Sequence, residues 1–374
     1  MVTPTTIIGG GIAGTALGAA LAHRQYPVTV YERQPAPAGG AFLVLDTQAQ
    51  RSLAALGVSP QALDAVSHPI PGGFKFHYRP AGSDTGPSQG QRLYPRAGLM
   101  HALTDFARAA HTDIRYGHTV TDIDRRTGTL FGPDGALNSG GLVIAADGID
   151  SLARTTLDPR RSPTYAGQVV IYGTTARPVT LPDPDVMHFH GQLGEGPLPV
   201  TTFGHLQTPE AVYWFARLTR NPIPMDDIGF HPAGLWMDAL LAADPTAEDL
   251  IATIVEATDT IHVSNTREVS MHNLLRPVAP VILIGDADHA ISPAWVRGAR
   301  EAIEDAVALT KALTEGTDPA EAMAQRRITI AVEREMQQRR ANAGAAAPPK
   351  PEPARPPVDP ETGMDWETRM WGFE

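Results

Sequence analysis

Gly9, Gly11 and Gly14 stand as G-x-G-x-x-G in the stretch GGGIAG, between a short apolar run, TTII, and an alanine-rich run, ALGAALAH. That spacing suits the pyrophosphate of a dinucleotide. The first glycine permits a tight turn, the second lets phosphates approach the backbone, and the third lets the helix lie close to the strand. Phosphates would then face the unpaired N–H groups of a helix N-terminus, where the helix dipole favours negative charge. Ile12 and Ala13 lie in the same turn and join it as cofactor-binding candidates. Glu32 closes the next apolar run, VTVYE, roughly 20 residues on, where a carboxylate can accept hydrogen bonds from a ribose diol. A lone glycine motif is a weak signal. Flanking strands, an intervening helix and Glu32 together make it a βαβ dinucleotide unit.

The elements that position this motif are bounded by length and composition. A chain of 374 residues exceeds what one hydrophobic core usually supports, so two structural units are expected. The absence of cysteine excludes disulfides, thiolate chemistry and cysteine-bound metal centres, and any redox chemistry must come from a bound cofactor. A formal charge of -11 argues against a nucleic-acid or anionic-membrane surface. No apolar run is long enough to span a bilayer and no basic leader precedes the first strand, so a cytoplasmic location is the default expectation. Oligomeric state is not readable from the sequence.

After the first motif come a probable helix, TQAQRSLAALG, a strand-like run, FKFHY, a helix opening near Pro95 and Arg96, and short strands around the turn GPDG. From Tyr165 to about Thr266 the texture changes to aromatic and histidine-bearing strands, followed by two helical runs. PVILIGDAD returns to buried parallel-strand texture. The fold class read from this order is α/β: a three-layer Rossmann-like dinucleotide-binding domain, which the resemblance described below makes an FAD-binding domain, with an interleaved mixed-sheet substrate domain and a C-terminal helix. The expected boundaries are 1–70, 91–164 and 267–315 for the first domain, and 71–90 with 165–266 for the second. The C-terminal helix is expected over 316–345, and a proline-rich tail over 346–374.

Three motifs occur in one order: GGGIAG with YER, LVIAADGIDSLAR, and LIGDADHAISP with AIEDA. In this the chain resembles the class A flavoprotein aromatic hydroxylases, FAD-dependent monooxygenases similar to p-hydroxybenzoate hydroxylase and the tetracycline-inactivating monooxygenases. The resemblance covers nearly all of residues 1–315. It implies that Gly9, Gly11 and Gly14 hold the FAD pyrophosphate and Glu32 the adenosine ribose. Arg33 and Arg96 match basic positions near the adenine and near the pyrophosphate or flavin, and Val120 joins them as a cofactor-side position. Asp147 and Gly148, with Ser151 and Arg154, match a motif tied to FAD and NAD(P)H. Asp286 would bind the ribityl chain, and Pro293 would lie beside the ring system. Helix capping explains Asp147 or Asp286 alone, since both end strands before a turn, but not their recurrence beside the first motif.

The chain departs from the resemblance at one loop. Where the family has P-x-x-G-x-G before a helix aimed at the flavin, this sequence has Val296, Arg297 and Gly298 after Pro293. Valine narrows the backbone choices and arginine adds full charge. Two readings follow: a harmless rearrangement, or an FAD that is displaced, weakly held or raised in potential. Arg300 reads as an exposed first-turn residue paired with Glu304.

The implied chemistry uses NAD(P)H, FAD and dioxygen to oxygenate an aromatic or polyketide-like small molecule through a flavin C4a-hydroperoxide. No catalytic side chain is singled out. His190, Trp214, Arg217 and Trp295 are the pocket candidates, with His188, His205 and His289 behind them. No metal cluster with convincing spacing is present in the sequence. Two other readings stay open: a non-oxygenating, cyclase-like enzyme on the same FAD scaffold, and a flavin-free nucleotide-binding or dehydrogenase module.

Overall fold

The computed structural model describes residues 4–37, 40–138, 140–196 and 198–346. The expected proline-rich tail, beyond its first residue, lies outside them. The described residues fall into two compact units, residues 4–67 with Leu93–Thr164 and Arg267–Ala331, and His68–Arg92 with Tyr165–Thr266 and residues 332–346.

The first unit is built on five parallel strands: β1 (Thr5–Ile8), β2 (Val28–Glu32), β3 (Asp113–Tyr116), β4 (Leu142–Ala145) and β5 (Val281–Leu283), in the spatial order β5-β4-β1-β2-β3. All of β1 and β5 is buried, as a sheet covered on both faces requires. Helix α1 (Ile12–His23) is buried along most of its length and packs against α3 (Arg96–Ala109) and α6 (Gly298–Glu315). Asp46 caps the start of α2 (Thr47–Leu56), its carboxylate accepting from Ala49 N at 2.7 Å, and Gly57 ends that helix in the left-handed region. Ser151 caps α4 (Leu152–Leu157) in the same way. The short helix α5 (Asp286–His289) follows β5, and α7 (Pro319–Ala346) closes the described chain. A small antiparallel sheet of Asp122–Asp124, Thr129–Gly132 and Gly135–Ala136 sits within this unit.

The second unit carries an eight-stranded sheet. Its middle runs Thr164–Thr174, Val212–Thr219, Thr201–Gln207, Met187–Gln192 and Phe74–Arg79. Registers are antiparallel except between Met187–Gln192 and Phe74–Arg79, which run parallel. Paired residues share a face of a sheet, so these registers sort the side chains. One face carries His77, His190, Phe203 and Ala216 in one row, with Lys75, His188, His205 and Trp214 in the next. The apolar end of that face is sealed by the helices Met237–Leu241 and Glu248–Glu256, whose Leu240, Ile251, Ile254 and Val255 cluster with Phe203 and Trp214. The opposite face carries Phe76, Phe189 and Phe215 in one row and Tyr78, Thr202 and Arg217 in the next.

Candidate functional site

A cleft of ≈ 310 Å³ opens in the first unit at the C-terminal ends of β1, β2 and β4. Gly9, Gly10, Gly11, Glu32, Arg33, Arg96, Val120, Asp147 and Gly148 all line it. Ligands of open parallel sheets sit in this position, outside the carboxyl ends of the strands.

The glycine roles follow from close approaches. A Cβ on Gly9, at φ +99, would lie 2.3 Å from the Ala146 carbonyl oxygen, and one on Gly14 would lie 1.9 Å from the Gly9 carbonyl oxygen. Neither position accepts a side chain. At Gly11 a Cβ would meet nothing within 4 Å, so the space over this N-terminus of α1 is open. That is the fit a pyrophosphate requires. Ala13 serves packing: it meets Gly285 and α6, where a Gly285 Cβ would lie 3.3 Å from Ala13 Cβ and 3.2 Å from Ala302 Cβ.

Glu32 is already engaged with the backbone. Its Oε2 accepts from Gly10 N at 2.5 Å and its Oε1 from Gln34 N at 2.7 Å. These bonds fix the glycine turn and leave each oxygen a further lone pair for hydroxyl donors. Asp147 differs. Its Oδ2 accepts from Ala153 N at 3.2 Å, while its buried Oδ1 has no hydrogen-bond partner among the described residues. Burial pushes its carboxyl above the usual range, against hydrogen bonds from Ser151 and the backbone that pull it down. An orphaned acceptor on the cleft wall marks where a donor-bearing ligand belongs.

Arg154, carried in the second motif, is turned inward and is 1 % exposed. Its guanidinium donates to the carbonyls of Arg161 at 2.8 Å, Ala287 at 2.9 Å and Ile149. It ties the second motif to the third by bonding backbone rather than ligand. Asp288 secures the same loop, fully buried between Arg161 at 3.0 Å and a two-pronged contact from Arg327 at 2.6 Å.

In the third motif, Asp286 is exposed while residues 281–285 and 287–290 are all buried. A Cβ on Gly298 would stand 3.7 Å from Asp286 Oδ1, so this carboxylate lies beside the start of α6. Pro293 is also exposed and opens the turn Pro293–Trp295. Below them is a buried charge cluster. His289 Nε2 lies 2.6 Å from Asp305 Oδ2 and its Nδ1 3.5 Å from Glu301, while Arg297 Nε reaches Glu301 at 3.5 Å. Arg326 reaches Asp305 at 3.1 Å.

Val296 occupies the left-handed region at φ 56, ψ 27. A β-branched residue there is an outlier costing about 1–2 kcal/mol. The backbone at Val296 holds a conformation that favours glycine, the residue that the resemblance puts at this position. Val296→Gly is expected to stabilise the chain by about 0.5–1 kcal/mol, the released strain less the entropy glycine adds to the unfolded state. A lowered thermal midpoint in that variant would refute the strain. Arg297 is 5 % exposed and lies against Glu301, and burial lowers its pKa. Arg300 corrects the expectation of an exposed residue: its side chain is 16 % exposed and bonds both Glu304 at 3.0 Å and Asp46 at 2.9 Å.

The pocket candidates do not converge. Trp214 is core, with no exposure, its indole Nε1 donating to Thr258 Oγ1 at 2.9 Å. His190 shares its face of the sheet, and Arg217 lies on the other. Trp295 belongs to the first unit. Sequence reasoning missed Phe76, Phe189 and Phe215, whose alternation with polar residues was visible but not which way it faced. It also missed His77, which the parallel register places opposite His190.

Residues 7–59 match the family described as NAD(P)-binding Rossmann-like domain. The chain is 26% identical over 367 residues to the kynurenine 3-monooxygenase of Salinispora arenicola, covering 85% of this chain and 74% of that protein. It is 27% identical over 337 residues to the 6-hydroxynicotinate 3-monooxygenase of Bordetella bronchiseptica, covering 82% and 81%. The structure of Klebsiella pneumoniae HpxO complexed with FAD and uric acid aligns with TM-score 0.67 and 21% identity over 91% of this chain and 86% of that one.

The chain is similar to FAD-dependent aromatic monooxygenases along most of its length.

The open space over Gly11 and the orphaned Asp147 Oδ1 of the Rossmann-like unit fit FAD, the cofactor in the HpxO structure. Among the described residues no helix of the monooxygenase is long and apolar enough to cross a membrane.

Proposed function

We propose that this monooxygenase uses NAD(P)H and dioxygen to oxygenate a small, electron-rich aromatic molecule carrying a negative charge. The observation that carries the reading is Arg217. Its guanidinium is 4 % exposed, its Nε has no hydrogen-bond partner, and no carboxylate pairs with it among the described residues. It lies 5.3 Å from the Phe215 ring centroid, on the face where Phe76 and Phe189 stack at 5.0 Å. Aromatic rings beside one buried cation suit an aromatic carboxylate or phenolate. The substrates printed in the relatives' names, kynurenine and 6-hydroxynicotinate, are of this kind.

FAD supplies the electron transfer and oxygen activation when bound. The residues hold and orient. Gly11 and the α1 N-terminus would receive its phosphates, Glu32 its adenosine ribose, and Asp286 its ribityl chain. Asp147 Oδ1 would accept from a cofactor donor. Arg33, Arg96 and Val120 would line the adenine and pyrophosphate side, and Ile12 would contact it from the turn. Pro293, Val296, Arg297 and Gly298 would frame the flavin end. On the second unit's sheet, Arg217 would fix the substrate's anionic group and the phenylalanine face its ring, so that one ring carbon is presented reproducibly.

The test is a visible absorption spectrum of the purified protein, followed by NAD(P)H oxidation with a panel of aromatic acids and phenols. An oxidised-flavin spectrum and acceleration by an anionic aromatic, with a hydroxylated product, are expected. Flavin binding without product from any member would favour a non-oxygenating enzyme. Failure to take up FAD would leave only a nucleotide-binding module. Asp286→Ala is expected to weaken FAD retention on desalting by about tenfold, the loss of one hydrogen bond to a carboxylate. Unchanged retention would remove Asp286 from the site.

A further inference from the structure

Four histidines from three strands meet on the face of the second unit's sheet that also carries Trp214. His188 and His190 alternate along one strand, the parallel register sets His77 opposite His190, and the antiparallel register sets His205 opposite His188. Ring centroids of His77 and His190 lie 4.5 Å apart, and those of His188 and His205 4.8 Å apart. Ligand atoms of His77, His188 and His190 all fall within 4.8 Å of one another.

Such a patch is costly if its nitrogens bind nothing. His188 Nε2, His190 Nε2 and both nitrogens of His205 are buried without a hydrogen-bond partner among the described residues. His205 is 2 % exposed and His188 7 %. Each orphaned nitrogen costs about 1–3 kcal/mol, a cost that a ligand on these nitrogens would offset. Burial holds all four rings below the ordinary histidine range, with His188 and His190 lowered to about 4. Neutral imidazole is the form that binds metal.

We propose that His77, His188 and His190 bind one divalent late first-row transition ion, with Zn²⁺ as the ion to test and His205 packed behind the ligands. Zn–N bonds of about 2.0–2.1 Å place the nitrogens of a tetrahedral site about 3.3–3.4 Å apart. His77 Nε2 and His188 Nδ1 already stand 3.3 Å apart. Rotation about χ2, a soft torsion in histidine, turns the stacked rings so that their lone pairs converge. Three histidines leave a fourth position for water. Asp244, 1 % exposed and paired with Arg79 at 3.3 Å, acts electrostatically on His77 and His190, while the charge of Lys75 is tied to Asp183 at 2.5 Å. A bound ion would staple Phe74–Arg79 to Met187–Gln192, and no step of the oxygenation is assigned to it.

The experiment uses the FAD-loaded full chain, treated with chelator, desalted and titrated with Zn²⁺ by calorimetry, with Co²⁺ as the spectroscopic probe. One ion per chain, a raised thermal midpoint and the strong visible bands of tetrahedral Co²⁺ are expected. His77→Gln and His190→Gln are each expected to weaken Zn²⁺ binding by on the order of 100-fold or more. His231→Gln, whose ring contacts the Asp227 carbonyl outside the cluster, should leave binding unchanged. Absence of saturable binding, or equal affinity in the parent and both cluster variants, would overturn the proposal. Should a variant fail to fold, the parent's Co²⁺ spectrum decides alone, since weak octahedral bands also overturn it.

Discussion

Replacing Arg217 with methionine is expected to lower kcat/KM for an anionic aromatic substrate by about 100-fold while leaving the thermal midpoint unchanged or raised. The two halves of that result have one cause. A buried guanidinium facing a substrate anion contributes a desolvated, charge-assisted contact, and truncating one side of such a pair costs about 2–5 kcal/mol of binding. In the free protein the same group is a buried cation with no acid paired to it among the described residues, and burial lowers its pKa. Removing an uncompensated buried charge and filling its volume with methionine is neutral or stabilising. Arg217→Lys should recover only part of the activity, because an ammonium lacks the two-pronged fork. If activity and stability fall together in the methionine variant, Arg217 is a structural residue and the substrate class must be reconsidered.

His289→Leu is expected to destabilise the first unit by about 3 kcal/mol at pH 7. His289 is 1 % exposed between Glu301 and Asp305, both fully buried. Burial alone would lower its pKa, but the Asp305 charge and hydrogen bond, with Glu301 and Asp288, raise it to about 10. Its loss would leave two buried carboxylates to Arg297, Arg326 and the Gly285 N–H, hence the low end of the range for a broken buried ion pair, about 3–5 kcal/mol. The pH dependence has a definite sign. A histidine raised from 6.5 to about 10 contributes stability that is fully present below 6.5 and is lost as pH rises through about 10. Urea midpoints of the parent should therefore fall between pH 7 and pH 9.5, and those of the variant should fall less. Equal slopes would show that His289 is neutral in the folded protein.

The parts of the site that the sequence revealed are the local ones. The glycine turn and Glu32 each depend on a handful of consecutive residues, so spacing alone placed them on one βαβ unit. What it could not show was how the rest of each carboxylate is used, as with Glu32 gripping Gly10 N. Arg154 matched a motif by position, yet its burial depends on carbonyls more than a hundred residues away. Trp214 and Arg217 sit three apart on one strand, and alternation put them on opposite faces without saying which face is core. That phase is set by the helices Met237–Leu241 and Glu248–Glu256, a tertiary fact. The histidine cluster was invisible for the same reason. His77 and His190 become neighbours only through a parallel register between strands far apart in sequence.

The contact of Gly285 with Ala13 and Ala302 bears on how the protein is made. It joins the first turn of α1 to α6, and between them β5 adds to an edge of a sheet begun by Thr5–Ile8. The glycine turn is therefore backed by residues translated long after it. While the ribosome is still making the second unit, the glycine turn has no α6 against it. At roughly 5–20 residues per second the nascent α1 and its sheet wait tens of seconds with their apolar edge uncovered. Cofactor capture is therefore expected only after α6 has been made, later than in a protein whose nucleotide domain is contiguous.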